Sequence, residues 1–97
     1  MSIKVGLVLV ALSVVANAAP FTNGSFEIGP ATGTFTTLGT GNTSITGWTV
    51  GGSGVDYIGS FWQAQDGSRS LDLSALGAGS VSQTFDTILN QVYLVNF

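Results

Sequence analysis

The 97-residue chain has no cysteine and no histidine. Without cysteine there are no disulfides, the usual staple of small exported domains, and no thiolate metal site. Without histidine there is no His-ligated zinc, and the two absences together exclude Ser-His-Asp and Cys-His nucleophilic machinery. Positive charge is scarce as well: Lys4 and Arg69 stand against Glu27, Asp56, Asp66, Asp72 and Asp86. Nucleic acid is a poor partner for that balance, because its binding rests on neutralising phosphates with Lys and Arg. No segment beyond residue 18 carries a helical period, and there is no internal repeat.

What is present begins with a leader. Lys4 supplies a positive n-region, Val5 to Ala16 is an apolar run of 12 residues, and Ala16-Asn17-Ala18 has the small-x-small form of a cleavage site. Residues 1–18 are therefore expected to be a helical signal peptide and 19–97 the exported domain. The run is too short for a membrane span, which needs about 20 apolar residues. Taking 18 residues from 97 leaves 79, with Arg69 facing five acids for a net charge of −4. So short a chain buries a small core, so stability must come from packing, an oxygen-ligated cation, oligomerisation or further chain. Spaced Phe, Trp, Tyr, Leu and Val argue against disorder despite the abundance of Gly, Ser and Thr.

Past the leader, the pattern reads as strands and turns. Pro20 to Gly24 is turn-like and Ser25 to Ile28 a short strand; a weak strand lies around Thr34 to Leu38 within a Gly/Thr-rich loop. Ile45 to Val50 alternates at the β period, which sets Ile45 on the face opposite Trp48 and Val50, and Gly47 interrupts it as a bulge or close approach. Val55 to Ser60 begins the next strand, Phe61 to Ser68 is a loop with an Asp66-Gly67 turn, and Arg69 to Ser74 alternates with Leu71 and Leu73 facing one way and Ser70, Asp72 and Ser74 the other. Ser80 to Phe85 and Val92 to Phe97 complete the set. Short strands between Gly-rich turns predict an all-β antiparallel sandwich or barrel. The chain stops inside the last of these segments, so it is expected to be the N-terminal part of a longer domain.

Four segments carry a resemblance: NGSFE at 23–27, ITGWTV at 45–50, VDYIGSFWQAQDGSRSLDLS at 55–74 and SVSQTF at 80–85. Together they resemble the secreted choice-of-anchor C family, which is similar to the plant cell-wall DUF642 family. The third segment is specific, whereas the others occur across galactose-binding-like jelly rolls. The resemblance implies an exported galactose-binding-like β-sandwich, incomplete at the C-terminus, with no assigned enzymatic activity. In plants it implies association with wall polysaccharide and wall-modifying esterases.

Trp62, in a loop with Gln63, Gln65 and Asp66, is the centre of the expected ligand site, with Tyr57 and Arg69 beside it, because aromatic faces stack on the C–H faces of sugar rings while polar neighbours fix the hydroxyls. Trp48 and Phe61 are further aromatic candidates, Trp48 being favoured as core. Arg69 is also read as a partner for Asp56 or Asp66, and Asp72 as solvent-facing. Glu27 is the metal candidate: in jelly rolls that its segment resembles, the corresponding acid helps hold a structural calcium, an ion that takes several oxygen ligands. The function expected is a secreted, non-catalytic module that binds cell-wall or matrix polysaccharide. A structural or protein-binding wall component is the alternative, and a two-carboxylate glycoside hydrolase a distant third.

Overall fold

The computed structural model describes residues 19–97; the expected signal peptide, 1–18, lies outside the described residues. Five short strands form: β1 (Phe35–Leu38), β2 (Thr49–Gly52), β3 (Val55–Ile58), β4 (Ser70–Asp72) and β5 (Gly79–Ser82). All fall in the compact unit of residues 22–83. They make two antiparallel sheets, one ordered β1-β3-β4 and the other β2-β5. Among the described residues there is no helix, and no helix long and apolar enough to cross a membrane.

Alternation along each strand decides which side is covered. Leu38 lies opposite Val55 and Leu71 opposite Tyr57, and these side chains share one cluster with Ile45 and with Val50 of β2. Val81, opposite Val50 on β5, packs against the same cluster with Phe26 and Trp48. The inner faces of both sheets thus meet on one apolar core, the arrangement of a β-sandwich. Burying each Val, Leu or Ile there is worth about 1.5–3 kcal/mol.

The strands are shorter than the periodicity predicts, for identifiable reasons. The segment expected as a strand at Ser25 to Ile28 is a loop instead. Asn23 and Phe26 both adopt left-handed backbone (φ 53° and 60°), and the Phe26 amide donates back to the Asn23 carbonyl at 3.1 Å to close a turn. Asn tolerates that conformation; for Phe it is a strained choice that the surroundings must hold. Ile45 and Val50 are both core residues, contrary to the opposite-face expectation, because Gly47 (φ 86°) resets the alternation. A Cβ on Gly47 would stand 2.6 Å from Thr22 Oγ1. That hydroxyl belongs to a reciprocal link in which Thr22 N donates to Gln83 Oε1 (2.8 Å) and Gln83 Nε2 to Thr22 O (3.0 Å). Gln83 therefore leaves the ladder, and β5 ends at Ser82 rather than Phe85.

Residues 19–21 and 84–97 belong to a second unit, with no strand among its described residues. Ala19 N and the Asp86 carboxylate lie 2.6 Å apart, the Asp86 amide donates to Ala19 O at 2.7 Å, and Phe21 meets Phe85 edge-on at 5.1 Å. The strand expected at Val92 to Phe97 does not form: no described segment offers these residues a ladder, and Val92, Leu94, Val95 and Phe97 are exposed.

Tyr57 ties the core to the irregular loop. Its ring is fully buried and its hydroxyl donates to the Phe26 carbonyl; burial pushes the phenol above its ordinary value. Tyr57→Phe keeps the ring but strands a part-buried acceptor, so it should cost about 1–2 kcal/mol, read as a lower urea midpoint with an unchanged slope.

Candidate functional site

The face of the β1-β3-β4 sheet turned away from the core carries the site. Because Val55 and Tyr57 point inward, Asp56 and Ile58 point outward. The registers then set Phe35 and Ser70 opposite Ile58 on its two sides, and Asp72 opposite Asp56. The loop after β3 folds back over this face, fixed by the Gly59 and Phe61 amides donating to Thr34 O at 2.9 and 3.2 Å. The result is a depression of about 110 Å³ lined by Phe35, Asp56, Ile58, Phe61, Trp62 and Asp72.

Three rings form its apolar wall. Phe35 and Phe61 meet at 5.7 Å and 89°, Phe61 and Trp62 at 5.5 Å and 76°, both within the edge-to-face range. Trp62 is oriented by its indole N–H, which donates to Ser70 Oγ at 2.8 Å. Ile58 is sealed at 2 % exposure, while Trp62 and Phe61 remain 43 % and 58 % exposed. The rings therefore do two things: they cover Ile58, and they present stacking surface to water.

The polar side consists of two carboxylates. Asp56 Oδ1 accepts from Thr37 Oγ1 at 2.7 Å, and Asp72 Oδ1 accepts from Ser74 N at 3.0 Å and Ser74 Oγ at 3.4 Å. The Oδ2 atom of each has no protein partner among the described residues. Rings beside hydrogen-bond acceptors on rigid strands can grip a flat, hydroxyl-bearing molecule.

Of the residues expected at the centre of the ligand site, Trp62 alone lines this depression, joined by Phe61 from the further aromatic candidates. Tyr57 is withdrawn: with its ring at 0 % exposure it offers no stacking face. Arg69 sits on the Tyr57 side, its guanidinium carbon 5.8 Å from that ring's centroid, and makes no ion pair with Asp56 or Asp66 among the described residues. Gln63 and Gln65 are exposed and do not line it. Asp66 accepts a hydrogen bond from Ser25 Oγ and helps hold the loop down. Phe35, Asp56, Ile58 and Asp72 are the residues that sequence reasoning left outside the site. The available signal was strand parity, which already placed Asp72 and Ser70 on one face, but cross-strand register was needed to add Asp56 and Phe35.

Glu27 has a different occupation from the one expected. Its Oε1 accepts from Ser68 N (2.9 Å) and Ser68 Oγ (3.0 Å), and its Oε2 from Arg69 N (2.8 Å). A carboxylate ringed by N–H and O–H donors presents the wrong environment to a cation, and no group of three His, Cys, Asp or Glu residues comes together among the described residues. The donor set does not fit a calcium at Glu27. Gly67 is required beside it: φ is 67°, and a Cβ would stand 2.6 Å from the Glu27 carboxyl carbon.

The described residues thus form an antiparallel β-sandwich that carries an open aromatic and carboxylate face. The chain is a member of the family described as "Protein of unknown function (DUF642)", whose model matches residues 19–97. It is also 43 % identical over 65 residues to halomucin of Haloquadratum walsbyi, a stretch covering 63 % of this chain and 1 % of that protein. No solved structure matches.

The Glu27 latch has a pH signature. The Ser68 amide, first, and then the Ser68 hydroxyl, the Arg69 amide and the Arg69 charge hold its carboxyl below the ordinary 4.5, against an opposing effect of desolvation. Since the folded value is the depressed one, the latch's stabilisation is present above pH 4.5 and is lost as pH falls through the folded value. Glu27→Gln should lower stability at neutral pH, and the gap to the parent should narrow on acidification below 4.5, measured as thermal midpoint against pH.

Proposed function

We propose that this chain is an exported, non-catalytic module that binds polysaccharide through the Trp62 depression. The observation that carries the reading is the set of half-exposed rings, Trp62, Phe61 and Phe35, standing over Asp56 and Asp72 on one sheet face. Pyranose rings have an apolar C–H face and a hydroxyl rim, and this face offers a counterpart to each. At about 110 Å³ the depression is well below the roughly 300–1,000 Å³ of pockets that enclose a small molecule. It suits one sugar unit of a polymer lying across the surface. Export is supported by the leader-like residues 1–18, with 19–97 as the working domain, and by the likeness to a protein named halomucin. A wall or matrix location, at the cell surface or outside it, follows from that reading.

A second reading is a structural or protein-binding wall component. Ile88, Leu89, Val92, Leu94, Val95 and Phe97 favour it, since all are exposed and clustered apolar surface marks interaction sites. Recovery of a protein partner from extracellular extract after glycosidase treatment would support this reading.

Sugar binding predicts that soluble fragments of a bound wall polysaccharide change Trp emission. Trp62→Ala should weaken retention on that polymer about tenfold, equivalent to ~1.4 kcal/mol, in buffer where a urea curve, its midpoint lowered because Trp62 helps cover Ile58, shows the variant folded. A folded chain that binds nothing in a broad glycan panel, or a Trp62→Ala variant retained as well as the parent, rules the reading out.

A further inference from the structure

Resting on the sugar-binding reading of the same depression, we propose that the site selects its ligand by charge: it takes a pyranose unit bearing a free amine in preference to a neutral one, and rejects units bearing a carboxylate. The first reason is the β3–β4 register. Asp56 stands directly opposite Asp72, and same-face residues so placed have Cβ atoms about 4.5–5.5 Å apart, where like charges repel. No basic side chain lines this face to balance their charge, because the other lining residues are Phe35, Ile58, Phe61 and Trp62. Arg69, the sole basic residue after Lys4, lies against the Tyr57 ring on the core side of the sheet.

The second reason is a count of donors. The indole N–H of Trp62 is committed to Ser70 Oγ and the hydroxyl of Thr37 to Asp56 Oδ1. Among the lining residues, the hydrogen-bonding atoms left without a protein partner are acceptors, Asp56 Oδ2 and Asp72 Oδ2, beside rings whose faces are electron-rich. A sugar hydroxyl can donate to these oxygens. An ammonium does so with opposite charge and gains from the neighbouring rings as well. A uronate carboxylate brings only acceptors and a like charge, so it would lose its hydration and receive nothing in return.

The test uses three β-1,4-linked tetrasaccharides of one length, built from glucosamine, glucose or glucuronate, titrated against the full chain by calorimetry at low ionic strength. The expected order is amine, then neutral, with no measurable binding of the uronate. The amine preference should be about fivefold, as suits partly exposed charge pairs, and should shrink in high salt. In the double variant Asp56→Asn with Asp72→Asn the ratio of amine to neutral affinity should fall to about one, whatever affinity both ligands lose with the carboxylates. Equal affinity for all three, tightest binding of the uronate, or an amine preference that survives in the double variant each overturns the proposal and leaves sugar binding standing. Failure of all three to bind a chain that does bind an insoluble wall polysaccharide also overturns it, whereas failure of every glycan sinks the sugar-binding reading with it. The double variant's thermal midpoint, expected at or above the parent's once the repulsion is gone, shows that it is folded.

Discussion

A single loop that forms no ladder, residues 23–28, satisfies backbone groups on three sides of the sandwich unit, and the rest of that unit is arranged around it. Strands of three or four residues leave most N–H and C=O groups without a ladder partner, and each one removed from water needs another. The Asn23 side chain accepts from Ile28 N and donates to Ile28 O and Thr46 O. Trp48 Nε1 donates to Asn23 O, Tyr57 to Phe26 O, and Glu27 takes the amides of Ser68 and Arg69. Polar side chains do here what longer strands do in a larger sandwich. The strained backbone of Phe26 is held in place by its turn bond, by the Tyr57 hydroxyl and by its ring 5.0 Å from that of Trp48.

The loop also sets the geometry of the opposite face. Ser68 and Arg69 directly precede β4, so the Glu27 carboxylate fixes where that strand begins. From there the register follows: Ser70 falls opposite Ile58, where its hydroxyl receives the Trp62 indole, and Asp72 falls opposite Asp56. Two segments that look like separate signatures, NGSFE and QDGSRSLD, are thus two halves of one fastening. A residue that reads as a calcium ligand turns out to position the site without entering it.

Much of this was legible in the chain and some of it was not. Pattern in VDYI and RSLD foretold two strands, and alternation in RSLD foretold that Leu71 and Asp72 face opposite ways, because the β period acts on each segment alone. It could not foretell that Gly47 would bring Ile45 into the same core as Val50, since one left-handed residue inverts parity without altering composition. Tyr57 was expected to face a sugar because aromatic residues suit both a core and a surface; only its register partner Leu71 and its bond to Phe26 decide which. Trp62 was read as a loop aromatic, and its neighbours were sought along the chain, at Gln63, Gln65 and Asp66. The ladder supplied them from β1, β3 and β4 instead. The site is a property of register, which sequence patterns specify weakly when strands are this short.

That register carries one local conflict, and its position is informative. Opposed carboxylates on the outer face of a sheet cost stability, and the remedy is cheap: Asn, Ser or Thr at either position would remove the repulsion and keep a hydrogen-bonding side chain. The conflict coincides with the half-exposed rings, and not with the many exposed sites where a paired charge would be harmless. Chains are locally consistent where only folding is at stake, and depart from that consistency where a ligand supplies the missing partner. On the proposed reading, Asp56 and Asp72 are one half of a complex, completed by a ligand that brings hydrogen-bond donors and a flat apolar face together.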